Sequence, residues 1–176
     1  MKKILINQIE EKVTDMFSNK GAVLVCGDKE NYNGLAIGWG MIGTLWSKNV
    51  VSVFIKPTRY TFSFANNYDN FSIMWFNDDI NKTVINTYGT KSGRDVNKEK
   101  IMNFHSQILD DCIVFNEARL IITCKKILQI DLKNGNIYDE KSYNRYYEND
   151  DCVHWQYICE ILGVYCNDEE LKNENK

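Results

Sequence analysis

Five short apolar runs constrain the fold of this chain more than any other feature. They are residues 22–26, 50–55, 71–76, 118–125 and 154–165, rich in Val, Ile, Phe and Cys. Each has the length and composition of a strand and is bounded by Gly, Asn, Asp or Lys, which end strands and form turns. A parallel sheet requires a long crossover helix after each strand, and no segment here supplies that series. The pattern predicts a mainly β protein of five or six strands, mostly antiparallel, in a closed or nearly closed barrel decorated by two to four short helices.

Between the runs, Ile6, Ile9, Val13, Met16 and Phe17 fall at helical spacing and predict an amphipathic helix over about residues 7–18. Residues 27–34 read as a polar hairpin loop. Phe62, Phe64 and Ala65 predict a short helix over 61–67, and Asp78 and Asp79 open another that ends near Gly89. Residues 90–98 read as a Gly-centred loop opening a short helix, with Ser92 and Asp95 as possible caps. Residues 103–116 show no period and read as loop, 143–151 as a surface segment, and the polar stretch from 167 as a frayed tail. With 176 residues and 44% hydrophobic content, the chain is expected to be one domain, 1–176, with its core over about 20–165.

A net charge of −3 argues against a nucleic-acid binder, which needs a clustered basic face. None of the six cysteines forms a C-x-x-C pair and only His105 and His154 are present, so no metal is expected. The first residues lack a secretory pattern and no run has the length of a membrane span, which points to a cytoplasmic chain with reduced, buried thiols and no membrane partner.

The central stretch carries the chemistry. Gly38-Trp39-Gly40-Met41-Ile42-Gly43 spells G-x-G-x-x-G, but only six residues separate it from the next strand and no acidic residue occurs over 41–68. A dinucleotide fold needs a helix opening inside the motif and an acidic residue about 20 positions on. The glycines fit a bulged or sharply bent strand that a flat ligand can approach closely, with Trp39 in the core as the plainer alternative. After the strand, Lys56-Pro57-Thr58-Arg59-Tyr60-Thr61 places a guanidinium and hydroxyls where an anion could be held; an ion pair for Arg59 and a helix cap for Thr61 are the alternatives. Ser92-Gly93-Arg94, with Lys98 a turn further on, reads as an anion nest or as an ordinary capped loop.

These segments, with Glu117-Ala118-Arg119-Leu120 and with His154 followed by Cys159-Glu160-Ile161, resemble the flavin reductase-like, FMN-binding split-barrel proteins over roughly residues 20–165. The resemblance implies an antiparallel Greek-key split barrel, a homodimer, and FMN held near the dimer interface. On that reading Gly38, Trp39, Gly40, Met41 and Ile42 receive the flavin ring, and Arg59, Tyr60, Thr61, Ser92, Gly93, Arg94 and Lys98 receive the ribityl phosphate. His154 would line a nicotinamide pocket for NADH or NADPH. Hydride transfer needs ring stacking and no general base, so no catalytic residue is assigned. The expected activity is hydride transfer from NAD(P)H to flavin with onward electron transfer. The alternatives are a flavoredoxin-type carrier reduced by a partner protein and a binding module without flavin. Cys159 stands where many relatives have glycine, and Trp39, Trp46, Trp75 and Trp155 are core candidates before they are flavin-stacking ones.

Overall fold

The computed structural model describes residues 1–148 and 152–167. Two-sided burial of the middle strands organises it. In β2 (Ala22–Gly27) every residue is buried. Leu24 and Cys26 face one core, whereas Val23 and Val25 face a second. β6 (Asn70–Trp75) and β9 (Leu120–Asp131) divide likewise, with Phe71, Ile73, Trp75, Leu120, Ile122 and Cys124 on the first side and Met74 and Ile121 on the second. A strand apolar on both faces loses the alternation of a half-exposed strand, so these segments read as unbroken apolar runs.

The strands β1 (Lys2–Ile4), β3 (Tyr32–Ile37), β4 (Gly40–Leu45), β5 (Lys48–Ile55) and β10 (Trp155–Cys166) join them in one sheet. Its order is β3-β2-β6-β9-β10-β5-β4, with β1 beside β10, and every pairing is antiparallel. A separate hairpin of β7 (Ser106–Leu109) and β8 (Cys112–Phe115) covers the second core with α2 (Asp78–Thr90). The remaining helices are α1 (Thr61–Asn67), α3 (Lys98–Met102) and α4 (Glu140–Tyr147).

The sheet is not closed, which corrects the expected closed or nearly closed barrel: β3 and β4 are its two unpaired ends. Gly38 and Trp39 carry the chain directly from one end to the other, the bend that the glycines suggested. Phe17 plugs this corner. Its ring packs edge-on against Trp75 at 5.5 Å, and a Cβ on Gly40 would overlap it. The Trp75 indole donates to the Met16 carbonyl at 3.0 Å, which fixes the plug to β6.

Further expectations need correction. The helix over 7–18 is replaced by a 3₁₀ turn, Ile6–Gln8, and a π-helical segment, Asp15–Lys20. Ile6, Ile9 and Val13 still pack on the first core, and Glu11 reaches the Arg119 guanidinium at 2.5 Å, so irregular backbone satisfies the apolar spacing. Within 103–116 lies the β7–β8 hairpin. Its turn residues Asp110 and Asp111 have φ of 48° and 60°, and the Asp110 carboxylate accepts from Thr123 at 2.6 Å and Tyr165 at 2.7 Å. Strand β3 begins at Tyr32, inside the segment read as loop. The helix after Ser92 starts at Lys98 with Asn97 as its cap, while the Ser92 hydroxyl accepts from the Arg94 amide. Most of the surface segment from residue 143 is helix α4, and its end and the tail beyond residue 167 lie outside the described residues. Trp75 is buried, but Trp39 and Trp46 are exposed, so Trp39 is no core residue. Cys26, Cys112, Cys124 and Cys159 are buried free thiols, and burial pushes the Cys112 thiol up to about 12. Cys159 sits at a register shift in β10 and packs into the first core beside Cys124, so the barrel accommodates its side chain.

Removing the plug should be costly. Phe17→Ala leaves a cavity at the open corner, and about 3–5 kcal/mol of stability should be lost, read as a shift in the urea midpoint at unchanged slope.

Candidate functional site

Three connections converge above β3. The first leaves β5, where Pro57 ends the strand and the turn closes with the Arg59 amide on the Lys56 carbonyl at 2.9 Å. This delivers Arg59, Tyr60 and Thr61 to the start of α1. The second leaves α2 and turns at Ser92, whose carbonyl accepts from Asp95 at 3.1 Å and Val96 at 3.2 Å. The third is the first residue of α3, Lys98. Together they enclose a cavity of about 150 Å³ that all seven sequence-predicted phosphate residues line: Arg59, Tyr60, Thr61, Ser92, Gly93, Arg94 and Lys98. The lining also contains Lys91 and no carboxylate, in a chain of net charge −3.

Each cation is held differently. Arg94 lies over the Tyr60 ring, 4.7 Å from its centroid, a contact that orients a guanidinium without neutralising it. Arg59 is exposed and its Nη1 reaches the Gly89 carbonyl only at 3.5 Å. Lys98 is 6% exposed; its Nζ donates to the Gly34 carbonyl and sits 5.1 Å from the Tyr88 ring centre. Burial, then repulsion from Arg59, lowers its amine to about 8.

Asn33, read from sequence as a loop residue, is central. Its amide donates to the Thr61 hydroxyl at 2.6 Å, so the hydroxyl proton of Thr61 remains available to an incoming acceptor. Its carbonyl abuts Gly93, where a Cβ would overlap it. Tyr88 was likewise missed, being one apolar position in a helix. Neither carries a sequence signal, because both act through contacts between distant segments.

The other predicted residues lie apart from this lining. Gly40, Met41 and Ile42 are on the edge strand β4, where Met41 is 50% exposed. Trp39 and His154 form a second, aromatic group, with rings 4.7 Å apart. Tyr146 of α4 packs edge-on to Trp39 at 5.0 Å, and the Tyr147 hydroxyl lies 2.8 Å from His154 Nδ1. Among the described residues no group of three or more His, Cys, Asp or Glu is arranged to hold a metal, and no helix is long and apolar enough to cross a membrane.

An open antiparallel split barrel with a carboxylate-free cationic cavity defines a flavin reductase-like protein. The model of the flavin reductase like domain matches residues 15–174, and the chain belongs to that family. Among solved structures it resembles flavoredoxin of Desulfovibrio vulgaris (Miyazaki F), with a TM-score of 0.66 and 18% identity over 96% of this chain and 78% of that one. The FMN-binding protein from Thermus thermophilus with bound p-hydroxybenzaldehyde follows, at 0.64 and 16% over 88% and 74%. Flavin reductase PheA2 in its native state gives 0.60 and 13% over 84% and 79%. At these identities the likeness is one of fold. No curated protein matches the chain.

The state of Lys98 can be tested in the protein alone. Its folded-state pKa of about 8 lies below the usual 10.5, so above about pH 8 the unfolded chain binds the extra proton. Wild-type stability should therefore rise relative to Lys98→Met between about pH 8 and pH 10.5, when urea unfolding of the two is compared. A constant difference across that window would mean Lys98 titrates normally.

Proposed function

We propose that the protein binds FMN, with the ribityl phosphate in the cavity of Arg59, Thr61, Arg94 and Lys98. The observation that carries this reading is the cation-only lining, which suits a dianion and leaves the Thr61 hydroxyl proton to be donated. A volume of about 150 Å³ matches a phosphate and the first ribityl carbons and is too small for a whole flavin. The ring is assigned to Gly38, Trp39, Gly40, Met41 and Ile42, where an edge strand offers unpaired backbone groups. A second subunit covers that edge, a reading supported by the exposure of Met41 and of Trp46 at 65%. His154 and Trp39 line the place of a nicotinamide. The bound flavin supplies a hydride acceptor for NADH or NADPH; the protein supplies binding, orientation and exclusion of water. The reduced flavin then serves an electron-acceptor protein. Buried free thiols support a cytoplasmic setting.

The experiment is the visible spectrum of the purified protein followed by anaerobic addition of NADH and NADPH. Bleaching on a catalytic timescale is expected. A yellow protein inert to both would be a flavoredoxin-like carrier, and a colourless one that takes up no FMN would overturn the proposal. Arg59→Ala should weaken FMN by about tenfold to a hundredfold, from loss of a charge-assisted bond of roughly 1.5–3 kcal/mol, and leave riboflavin nearly unchanged. Equal losses for both flavins would refute phosphate recognition by Arg59.

A further inference from the structure

A second cavity, of about 300 Å³, adjoins the cationic one and shares Asn33, Tyr88, Gly93 and Lys98 with it. Its character is opposite. Glu30 and Glu99 line it, with the Tyr32 hydroxyl bound to Glu99 and 3.2 Å from Ser106 Oγ. Phe115 contributes an aromatic wall, its ring centre 6.0 Å from that of Tyr88. Tyr88 is 3% exposed, yet its hydroxyl is buried without a hydrogen-bond partner among the described residues. A buried hydroxyl left unpaired is costly, and nothing in the cationic cavity requires it. Burial, together with Glu99, Tyr32 and Glu117, raises the Tyr88 phenol, so it remains a donor.

Two carboxylates make this second cavity hostile to a phosphate and suited to a neutral group rich in hydroxyls and amines. Carboxylates of this kind accept from ribose hydroxyls in dinucleotide sites. A cationic cavity continuing into a carboxylate- and phenol-lined one matches a ligand with phosphates in its middle and a nucleoside beyond them. We propose that the second cavity is an adenosine subsite, which takes the adenosine end of a dinucleotide whose diphosphate lies against Lys98 and Arg59. FAD is the favoured source, because its flavin-side phosphate is the one the first cavity is proposed to hold. This inference rests on the flavin reading above.

The test uses Tyr88→Phe, which removes only the unpartnered hydroxyl and should leave the melting temperature unchanged or raised. Dissociation constants for FAD, FMN and riboflavin are measured by flavin fluorescence on both proteins, and that for NADH on the FMN-loaded proteins. Wild type should bind FAD at least as tightly as FMN. The substitution should weaken FAD about threefold to tenfold, the loss of one hydrogen bond, and shift FMN by less than twofold. Weakening of NADH with FAD unmoved would also support the subsite and assign it to the nicotinamide dinucleotide. FMN binding with FAD more than tenfold weaker, together with NADH unmoved by the substitution, would overturn the subsite and spare the flavin reading, as would equal losses for FMN and FAD. Failure of wild type to bind any flavin would overturn both.

Discussion

The antiparallel pairing of β9 with β10 is the constraint on which the rest of the molecule depends. All along its twelve residues β10 lies beside β9, while its other edge is shared between β5 from Trp155 to Glu160 and β1 from Val164 to Cys166. Register shifts between Ile158 and Cys159 and between Ile161 and Gly163 bend this long ladder. Bulges raise local twist, and that twist curls the sheet toward a barrel. The placement of β5 by β10 in turn sets where Pro57 releases the chain, and hence where Arg59 and Thr61 meet the loop from α2.

Legibility in the sequence followed burial. β2, β5, β6, β9 and β10 were readable because their middles are apolar on one or both faces. The β7–β8 hairpin was not, since Ser106 and Gln107 are exposed and its turn is Asp110-Asp111 instead of an Asn-Gly pair. The hairpin between β4 and β5 uses Trp46 and Ser47, with φ of 50° and 59°, an equally unadvertised turn. The N-terminal segment misled for the opposite reason: its helical spacing is real, but Ile6, Ile9 and Val13 reach the core from irregular backbone. At the site, the basic and hydroxyl residues announced themselves by type. Asn33 and Tyr88 did not, because an Asn in a polar stretch and a Tyr in an amphipathic helix gain meaning only when β3, α1 and α2 are brought together.

The cationic cavity shows how a protein of net negative charge can build a local positive field. Its cations come from connections, where side chains are positioned by short turns and not by the sheet. None is neutralised by a carboxylate in the lining, so the empty cavity stores repulsion that an anion relieves. Lys98 bears most of this, being the most buried of the cations.

Pairing between β1 and the end of β10 has a consequence for synthesis. Lys2 stands opposite Cys166 in the finished sheet, and β10 is also the strand between β5 and β9. Until β10 leaves the ribosome, β5 and β9 each present an open edge, and Val51, Val53, Ile122 and Cys124 lack the neighbour that seals the first core. The nascent chain therefore carries two adhesive strand edges through most of its translation, and contacts of the largest sequence separation form last. Lys125 and Lys126, charged residues in the middle of β9, lie where they discourage that exposed edge from pairing with another chain before its partner arrives.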